Sequence, residues 1–243
     1  MKILLSNDDG YHASGIQVLI KQLEKNHDIY VAAPSINHSA GSSALSVRKD
    51  IEVDNIKKNH YIIDGTPADS VHIALTCLIE DKIDMVVSGI NLGANLGDDV
   101  IYSGTVAAAL EGRHLEMSPI AFSLVSQSNI SLEKAAFVSS EIIEKIISNE
   151  DISRKTLLNV NIPDFDIDNT LFDYTRLGKR GLPLPAVKVK DNSIYKIGAA
   201  GLPEDNGIGT DFYSIDNNKI SITPITFDLT NKNILNIILN KWA

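Results

Sequence analysis

The first two-thirds of the chain alternates short apolar runs with segments that carry apolar residues at helical spacing. This alternation constrains the fold more than any other feature, because it is typical of strand–helix–strand units that build a parallel sheet. The predicted strands are Ile3–Leu5, Ile29–Ala33, Asp84–Val87, Ile120–Leu124 and, as the last core strand, Leu157–Val160. The predicted helices are Gly15–Leu23, Asp69–Leu78, one that begins near Ser103, and Leu132–Ile147. The pattern predicts an α/β fold with a doubly wound, mostly parallel sheet.

The segment after Pro163 has a different texture. Glycine and proline become frequent, and strand-like pieces occur at Leu171–Thr175, Ser193–Ile197 and Lys219–Thr223. We interpret this segment as a β-rich hairpin arm that projects from the core. Asn231–Trp242 then reads as an apolar C-terminal helix. A helix of that length is not stable alone, so it must dock on its own subunit or on a partner.

Composition limits both the number of domains and the class of function. The 243 residues, 44% of them hydrophobic, suffice for one large domain but hardly for two. We expect a single domain over 1–243, with a core over 1–165 and an arm with a terminal helix, for oligomerisation, over 166–243. A net charge of −9 disfavours duplex nucleic acid as a partner.

The single cysteine and the N-terminus suggest a cytoplasmic protein. Cys77 alone cannot form a disulfide framework or a cysteine-based zinc site, and its apolar helix face predicts burial in the core. The chain opens on a core strand rather than a signal peptide. No apolar run approaches the roughly 20 residues that a membrane span needs, so we expect no membrane partner.

Two adjacent carboxylates, Asp8 and Asp9, follow the first predicted strand. Ligands bind at the carboxyl ends of strands in such sheets, and two like charges side by side repel unless a partner neutralises them. A hard divalent cation, which takes oxygen ligands, is the simplest partner. The alternative is that one carboxylate merely caps the next helix, but a cap needs only one. The pair therefore points to a metal-dependent enzyme acting on a phosphate or similar anion.

Two later loops should meet this one. The loop after the second strand offers Ser39 as a metal ligand and His38 as a base, although a plain solvated loop explains it equally well. The loop that begins at Ser88-Gly89 offers Asn91 and Asn95, whose amide groups can bind a hard metal or a phosphate.

Ser103-Gly104-Thr105 stands at the predicted helix start, where free backbone N–H groups suit an anion. A side chain at Gly104 would obstruct an anion approaching those groups. Ordinary N-capping by Ser103 or Thr105 is the competing interpretation. The basic cluster Arg176–Arg180 is most simply a solvated face, and alternatively a source of charge for an anionic substrate.

Long, specific segments of the chain resemble the SurE family of survival-protein nucleotidases. They are Ser6-Asn7-Asp8-Asp9-Gly10, Ser88-Gly89-Ile90-Asn91 and Asn95–Gly112, and the resemblance continues through Gly209–Phe212 and Ser221–Pro224. It implies a Rossmann-like core and one divalent cation, Mg²⁺ or Mn²⁺, per subunit. It also implies homodimers or homotetramers built by exchange of C-terminal elements.

The resemblance further implies a reaction and a set of site residues. The reaction is hydrolysis of nucleoside 5′-monophosphates, with 3′-monophosphates and polyphosphate as further substrates in the family, by attack of a metal-activated water. The implied metal ligands are Asp8, Asp9, Ser39 and Asn91, and the first two are also the implied catalytic residues. From the loop and helix-start arguments above, we predict Asn95, Ser103, Gly104 and Thr105 as the phosphate-binding residues. No separate general base stands out: Asp9 and a metal-bound hydroxide are both candidates.

Three rival functions compete with this hypothesis. A phosphatase using a covalent aspartyl-phosphate on Asp8 favours a second carboxylate two residues on, where this chain has Gly10. A dinucleotide-dependent dehydrogenase needs glycines in the first strand–helix turn, where this chain has two negative charges. A non-catalytic nucleotide sensor would use the same pocket, and it predicts metal-dependent binding without turnover.

Overall fold

The computed structural model describes residues 1–126, 131–149, 156–164, 171–190 and 193–242. Apolar runs become buried strands, and the described residues contain thirteen: β1 (Lys2–Ser6), β2 (Asp28–Pro34), β3 (Val53–Lys57), β4 (His60–Ile63), β5 (Met85–Leu92), β6 (Ile120–Val125), β7 (Thr156–Pro163), β8 (Phe172–Tyr174), β9 (Lys179–Arg180), β10 (Val187–Lys190), β11 (Ile194–Lys196), β12 (Pro203–Asp205) and β13 (Ile220–Thr226).

Six α-helices accompany these strands in the described part of the chain: α1 (Ser14–Leu23), α2 (Pro67–Ile73), α3 (Gly104–Leu110), α4 (Leu132–Ile147), α5 (Asp211–Asp216) and α6 (Lys232–Trp242). A π-helical turn, Ala74–Leu78, extends α2, and 3₁₀ turns at Gly97–Ile101 and Glu111–His114 flank α3. Local capping explains two of the starts. Thr66 and Asp69 form a reciprocal capping box at α2, and the Ser103 hydroxyl accepts the Val106 N–H at α3.

Nine strands form one sheet in the order β3-β4-β2-β1-β5-β6-β7-β13-β8. The six from β4 to β7 are parallel. Buried apolar side chains of α1 and α4 cover one face, and those of α2 and α3 cover the other. The predicted doubly wound α/β fold is confirmed. The strand order reverses between β1 and β5, so the loops after these two strands diverge around a crevice, the usual ligand position in such sheets.

The interpretation of the C-terminal third needs correction. Leu157–Val160 is not part of the last core strand, because β13 pairs antiparallel with β7 and β8 pairs with β13. The predicted strand Lys219–Thr223 therefore lies in the central sheet rather than in a projecting arm. The β3–β4 hairpin at the opposite edge was not predicted. The expected boundary at 165/166 falls outside the described residues.

A smaller part of the C-terminal third does stand apart from the central sheet. β10 pairs with β11 and β9 with β12, each in a separate two-stranded antiparallel sheet. The predicted terminal helix is present as α6, and its five large aliphatic side chains are each more than one-third exposed. Cys77 is exposed rather than buried, because its side chain points away from the core that Ala74 enters. Within the described residues, no helix is long and apolar enough to cross a membrane.

Candidate functional site

The turn after β1 is held by the side chain of Asn7. Its Nδ2 donates to the Gly10 carbonyl at 2.9 Å and its Oδ1 accepts the Gly10 N–H at 3.2 Å. Gly10 has a φ of +101°, a conformation that side chains rarely allow. This closed turn fixes Asp8 and Asp9 just beyond the end of the strand.

Asp8 is buried beneath the start of α3. Its side chain accepts a 2.6 Å hydrogen bond from the Thr105 hydroxyl on Oδ1. A Cβ added at Gly104 would lie 2.7 Å from the Asp8 Cβ and 3.0 Å from its Oδ2. The glycine therefore makes room for Asp8, a packing role that stands beside the predicted one of leaving the helix start open to an anion. Burial raises the pKa of the Asp8 carboxyl despite the opposing hydrogen bond from Thr105.

Asp9 meets the second loop through Asn37. The Asn37 amide donates to Asp9 Oδ1 at 2.8 Å, while its oxygen accepts from the Ser39 N–H at 2.8 Å and the Ser39 hydroxyl at 2.7 Å. The His38 N–H donates to the Asp8 carbonyl at 2.7 Å. Burial raises the pKa of Asp9, and the neighbouring Asp8 charge raises it further. Asn37, which the sequence did not single out, thus connects Ser39 to the carboxylate pair.

The third loop reaches Asp9 from the other side of the crevice. The Leu92 backbone lies within hydrogen-bonding reach of the Asp9 carboxylate. This contact opposes, but does not cancel, the rise in the Asp9 pKa that burial causes. Next to it, the Asn91 Nδ2 donates to the Gly93 carbonyl at 2.9 Å. This hydrogen bond fixes the orientation of the amide and leaves its oxygen available as a ligand.

The donor set of these loops fits a hard divalent cation. It consists of two carboxylates, a hydroxyl and an amide oxygen, from Asp8, Asp9, Ser39 and Asn91, and such cations prefer oxygen ligands. Among the described residues, no group of three or more His, Cys, Asp or Glu side chains is placed to hold a metal ion, so this set depends on the neutral oxygens of Ser39 and Asn91 beside the two carboxylates. The raised pKa of both carboxyls marks a place where negative charge lacks compensation from the protein.

Asn95 lies in a bracket of polar side chains that sequence reasoning missed. Asn161 of β7 accepts the Asn95 N–H at 2.8 Å and donates to its carbonyl at 3.0 Å. Asn159 donates to the same carbonyl at 2.8 Å, and the Asn95 side chain donates to the Ser123 hydroxyl at 2.8 Å. The two asparagines alternate with apolar residues in β7, and this spacing on one face of a buried strand was the available signal.

The four predicted phosphate-binding residues differ in the hydrogen-bond donors they have left. Asn95, Ser103 and Thr105 are all less than one-tenth exposed. The Ser103 hydroxyl oxygen accepts the Val106 N–H, and its own proton remains available to donate. The Thr105 hydroxyl donates its hydrogen bond to Asp8, and the Thr105 backbone N–H also acts on that carboxylate, so an anion would share this N–H with Asp8. Capping by Ser103 and phosphate contact are therefore compatible rather than exclusive.

A buried carboxylate ties the C-terminal third to the site. Asp211 accepts backbone N–H groups from Gly97 at 2.7 Å and Gly178 at 2.8 Å, and burial raises its pKa. Arg180 donates through Nε to Asp99 at 2.7 Å and stacks on the Phe212 ring. These contacts fix the 3₁₀ turn that precedes α3.

The basic cluster is already paired with acidic side chains. Arg176 binds Asp205, Lys179 binds Glu204, and Arg180 binds Asp99. The idea that this cluster lends charge to an anionic substrate receives no support from these pairs.

Comparisons with known proteins agree with this geometry. The family model described as survival protein SurE matches residues 3–182, which include all three loops. The chain belongs to the SurE family. It is 48% identical to the 5′-nucleotidase SurE of Ruthia magnifica over 100% of the chain and 98% of that protein. It is 43% identical to the 5′-nucleotidase SurE of Haemophilus influenzae (strain Rd) over 100% of the chain and 97% of that protein.

The solved structure of SurE from Aquifex aeolicus has the same fold. It superimposes with a TM-score of 0.87 at 38% sequence identity, and the match covers 100% of both chains. Membership in the SurE family, inferred from the motifs, is confirmed by these independent matches.

Proposed function

We propose that this SurE-family chain is a divalent-metal-dependent 5′-nucleotidase that hydrolyses nucleoside 5′-monophosphates to nucleoside and phosphate. The observation that carries the proposal is the adjacent carboxylate pair at the switch point of the sheet, with Asp8 buried, Asp9 half-buried and both pKa values raised. The names of the relatives, 5′-nucleotidase SurE, support the reaction class. We also propose that the same site hydrolyses nucleoside 3′-monophosphates and short polyphosphate.

Charge balance supports the need for a cation. A phosphate monoester brings up to two negative charges to a crevice that already holds two carboxylates, so an anion alone would be repelled. Asp8, Asp9, Ser39 and Asn91 would hold one Mg²⁺ or Mn²⁺ ion. Such an ion supplies a Lewis acid for a phosphate oxygen and lowers the pKa of a water molecule, the proposed nucleophile.

The chain's own residues would position the phosphate and control its protons. The Ser103 hydroxyl and the backbone N–H groups of Gly104 and Thr105 are donors suited to the equatorial oxygens of a transferring phosphoryl group. Asn95 would add its remaining amide proton from a backbone locked by Asn161. The hydrogen bond from Thr105 keeps Asp8 Oδ1 directed at α3, which leaves Oδ2 as the oxygen for an ion.

Two side chains are candidates to move a proton. Asp9 has a raised pKa and lies in the carboxylate pair, and it can accept a proton from an attacking water. His38 is half-buried, and its backbone N–H donates to the Asp8 carbonyl, which places this residue next to the carboxylate pair. A covalent phosphoenzyme on Asp8 is disfavoured, because Thr105 occupies one carboxylate oxygen and Gly10 stands where a second carboxylate is needed.

We also propose that the chain forms a homodimer or homotetramer through its C-terminal elements. Five aliphatic side chains of α6, Ile234, Leu235, Ile237, Ile238 and Leu239, are between 36% and 56% exposed. Exposing so many neighbouring apolar groups is unfavourable. In a symmetric dimer each subunit can bury the helix of the other, so both apolar faces are covered.

A phosphate-release screen tests the proposed function. The pure protein is assayed on 5′- and 3′-mononucleotides, polyphosphate and an aryl phosphate, with Mg²⁺, Mn²⁺ or chelator. We expect turnover of 5′-mononucleotides with either metal and none with chelator. Metal-dependent nucleotide binding without phosphate release would instead identify a sensor. Trapping of a labelled phosphoenzyme would establish the covalent route.

A further inference from the structure

An exposed aromatic side chain borders the candidate site. Tyr102 and its neighbour Ile101 are each 65% exposed, and Tyr102 immediately precedes Ser103, the first of the proposed phosphate-binding residues at α3. The rings of Tyr11 and Tyr30, by contrast, are buried and hydrogen-bonded to His60 and Asp81. Tyr102 therefore presents its ring to solvent one residue before the proposed phosphate-binding residues.

The backbone beneath this ring is fixed on both sides. The Tyr102 N–H donates to the Asp99 carbonyl at 2.9 Å, and the Tyr102 carbonyl accepts the Ser42 N–H at 3.1 Å. The Ser42 hydroxyl donates to the Ile101 carbonyl at 2.7 Å. Ser42 lies three residues after Ser39. The backbone that carries the Tyr102 ring is therefore hydrogen-bonded to the loop that carries a proposed metal ligand. An aromatic ring on a pre-ordered backbone binds a ligand at a low entropic cost.

We propose that Tyr102, supported by Ile101, is the docking platform for the nucleobase of a nucleoside monophosphate. The proposal rests on the proposed nucleotidase function, because it places the substrate phosphate at residues 103–105. A nucleobase is flat, aromatic and uncharged, so it suits a ring at the rim of an acidic crevice. Stacking uses the π-face that every base has, so the platform would accept purine and pyrimidine nucleotides without strict selection.

The neighbouring charges favour this occupant over an anionic one. Asp98 and Asp99, in the 3₁₀ turn that leads to Tyr102, are engaged by the backbone and side chain of Arg180. No free cation is therefore contributed by this turn to hold a second anionic group. A second copy of the chain is the other possible occupant of an exposed tyrosine, and the test below includes it.

The test compares substrates with and without a base on matched variants. AMP and ribose 5-phosphate are assayed with Tyr102→Ala, with Tyr102→Phe, which keeps the π-face, and with Tyr174→Ala, which removes another exposed tyrosine on β8. We expect Tyr102→Ala to raise KM for AMP about tenfold, because stacking on an aromatic ring is typically worth that much or more. kcat for AMP, and all constants for ribose 5-phosphate, should stay near those of the wild type. Tyr102→Phe and Tyr174→Ala should behave as wild type.

Adenosine provides a readout that does not need turnover. Its binding, measured by calorimetry, should be weakened by Tyr102→Ala and retained by Tyr102→Phe. Unchanged adenosine binding and unchanged KM for AMP in Tyr102→Ala would overturn the platform. So would an equal loss on ribose 5-phosphate, or a change in molecular mass of the variant by light scattering. If the wild type releases no phosphate from any substrate, the nucleotidase proposal fails, while the adenosine measurement still decides the platform.

Discussion

The carboxyl edge of the central sheet and the C-terminal hairpins with α6 differ in the side chains they bury. The first buries polar side chains, whereas the second exposes apolar ones. At the sheet edge, polar side chains such as Asp8, Asn95 and Asn161 are buried and hydrogen-bonded within the chain. In the C-terminal third, apolar side chains are exposed, and Leu182 and Leu229 are 92% and 96% accessible. The buried polar groups of the first region thus find hydrogen-bond partners within this chain. The second has the composition of a contact surface and gains stability only when something covers it.

The two regions meet at a single buried carboxylate. Asp211 receives N–H groups from Gly97 of the site loop and Gly178 of the C-terminal third. An assembly formed through the C-terminal elements would therefore act on the turn that carries Asp99 and Tyr102. The two regions thus differ in whether their side chains are shielded from solvent by this chain or would need a partner to cover them. The following measurements test this difference, from the largest expected effect to the smallest.

The largest effect is expected at the carboxylate pair. Asp8→Asn and Asp9→Asn should each reduce nucleotide hydrolysis by about 100-fold or more, because each removes a charge that holds the proposed cation. Their melting temperatures in chelator should be equal to or above that of the wild type, since burial already disfavours both charges. The gain in melting temperature with Mn²⁺ should disappear. Asp54→Asn on exposed β3 is the control. Full activity of Asp8→Asn in chelator would refute the metal assignment.

The second effect concerns the terminal helix. Deleting residues 229–243 should reduce the mass measured by light scattering to that of one chain, because the helix supplies the apolar contact. Because the five aliphatic side chains are only about half exposed before assembly, covering them would contribute about 3–7 kcal/mol before the cost of association. Leu235→Asp should act in the same direction, whereas Phe137→Asp, at an exposed position of α4, should not. A truncated chain that keeps the full-length mass shows that α6 is not the exchanged element.

The third effect tests the asparagine bracket. Asn161→Ala leaves the Asn95 N–H without its acceptor and weakens the bonding of its carbonyl, which should reduce stability by about 3 kcal/mol. In the fraction that folds, KM for nucleotides should rise more than kcat falls, because Asn95 loses its position. Thermal unfolding and kinetics measure both. Asn55→Ala, exposed on β3, is the matched control. Equal changes in the two variants would show that the bracket is ordinary packing.

The smallest effect is a pH dependence at the opposite sheet edge. His60 is buried beneath the first loop, where Tyr11 Oη lies 3.0 Å from its Nδ1, and burial, helped by Lys57, lowers its pKa to about 4. Between pH 6.5 and about 4, His60 is protonated in the unfolded chain but stays neutral in the folded chain. Stability is therefore complete above pH 6.5 and falls by about 2 kcal/mol by pH 5.

His60→Gln should flatten this dependence in denaturant titrations, and His12→Gln, exposed in the neighbouring loop, should not. The Glu24 carboxylate, 3.9 Å from His60 Nε2, is the charged group that would oppose the shift. If the slope between pH 6.5 and 5 persists in His60→Gln, another group accounts for the acid sensitivity.

The sequence predicted those features that depend on neighbouring residues. Strands with apolar runs, such as β1 and β5, were found because their ends are marked by polar residues and glycine. The carboxylate pair was found because two adjacent charges after a strand need an explanation. SurE motifs named the remaining site residues, whose ligand assignments stay predictions.

What the sequence did not predict depends on contacts between distant residues. Asn161 and Asn95 are 66 positions apart, and Asp211 and Gly97 are 114 apart. An asparagine in a buried strand looks like an interruption until its partner is known. β13 was assigned to the arm because its place beside β7 is set by pairing between distant residues, such as Ser221 with Asn161, and not by its own composition. Gly104 was explained by a ligand, whereas its nearest neighbour is Asp8.

The position of β13 has a consequence for how the protein is made. β7 is paired with β6 on one side, and its other side is matched only by residues 221–226, near the end of the chain. During synthesis, the parallel sheet can assemble while that edge still presents unpaired N–H and C=O groups, which are a template for pairing with other chains. A nascent or prematurely terminated product that ends before residue 220 would therefore contain Asp8 and Asp9, but its sheet would end at an unpaired β7 edge that is prone to aggregate.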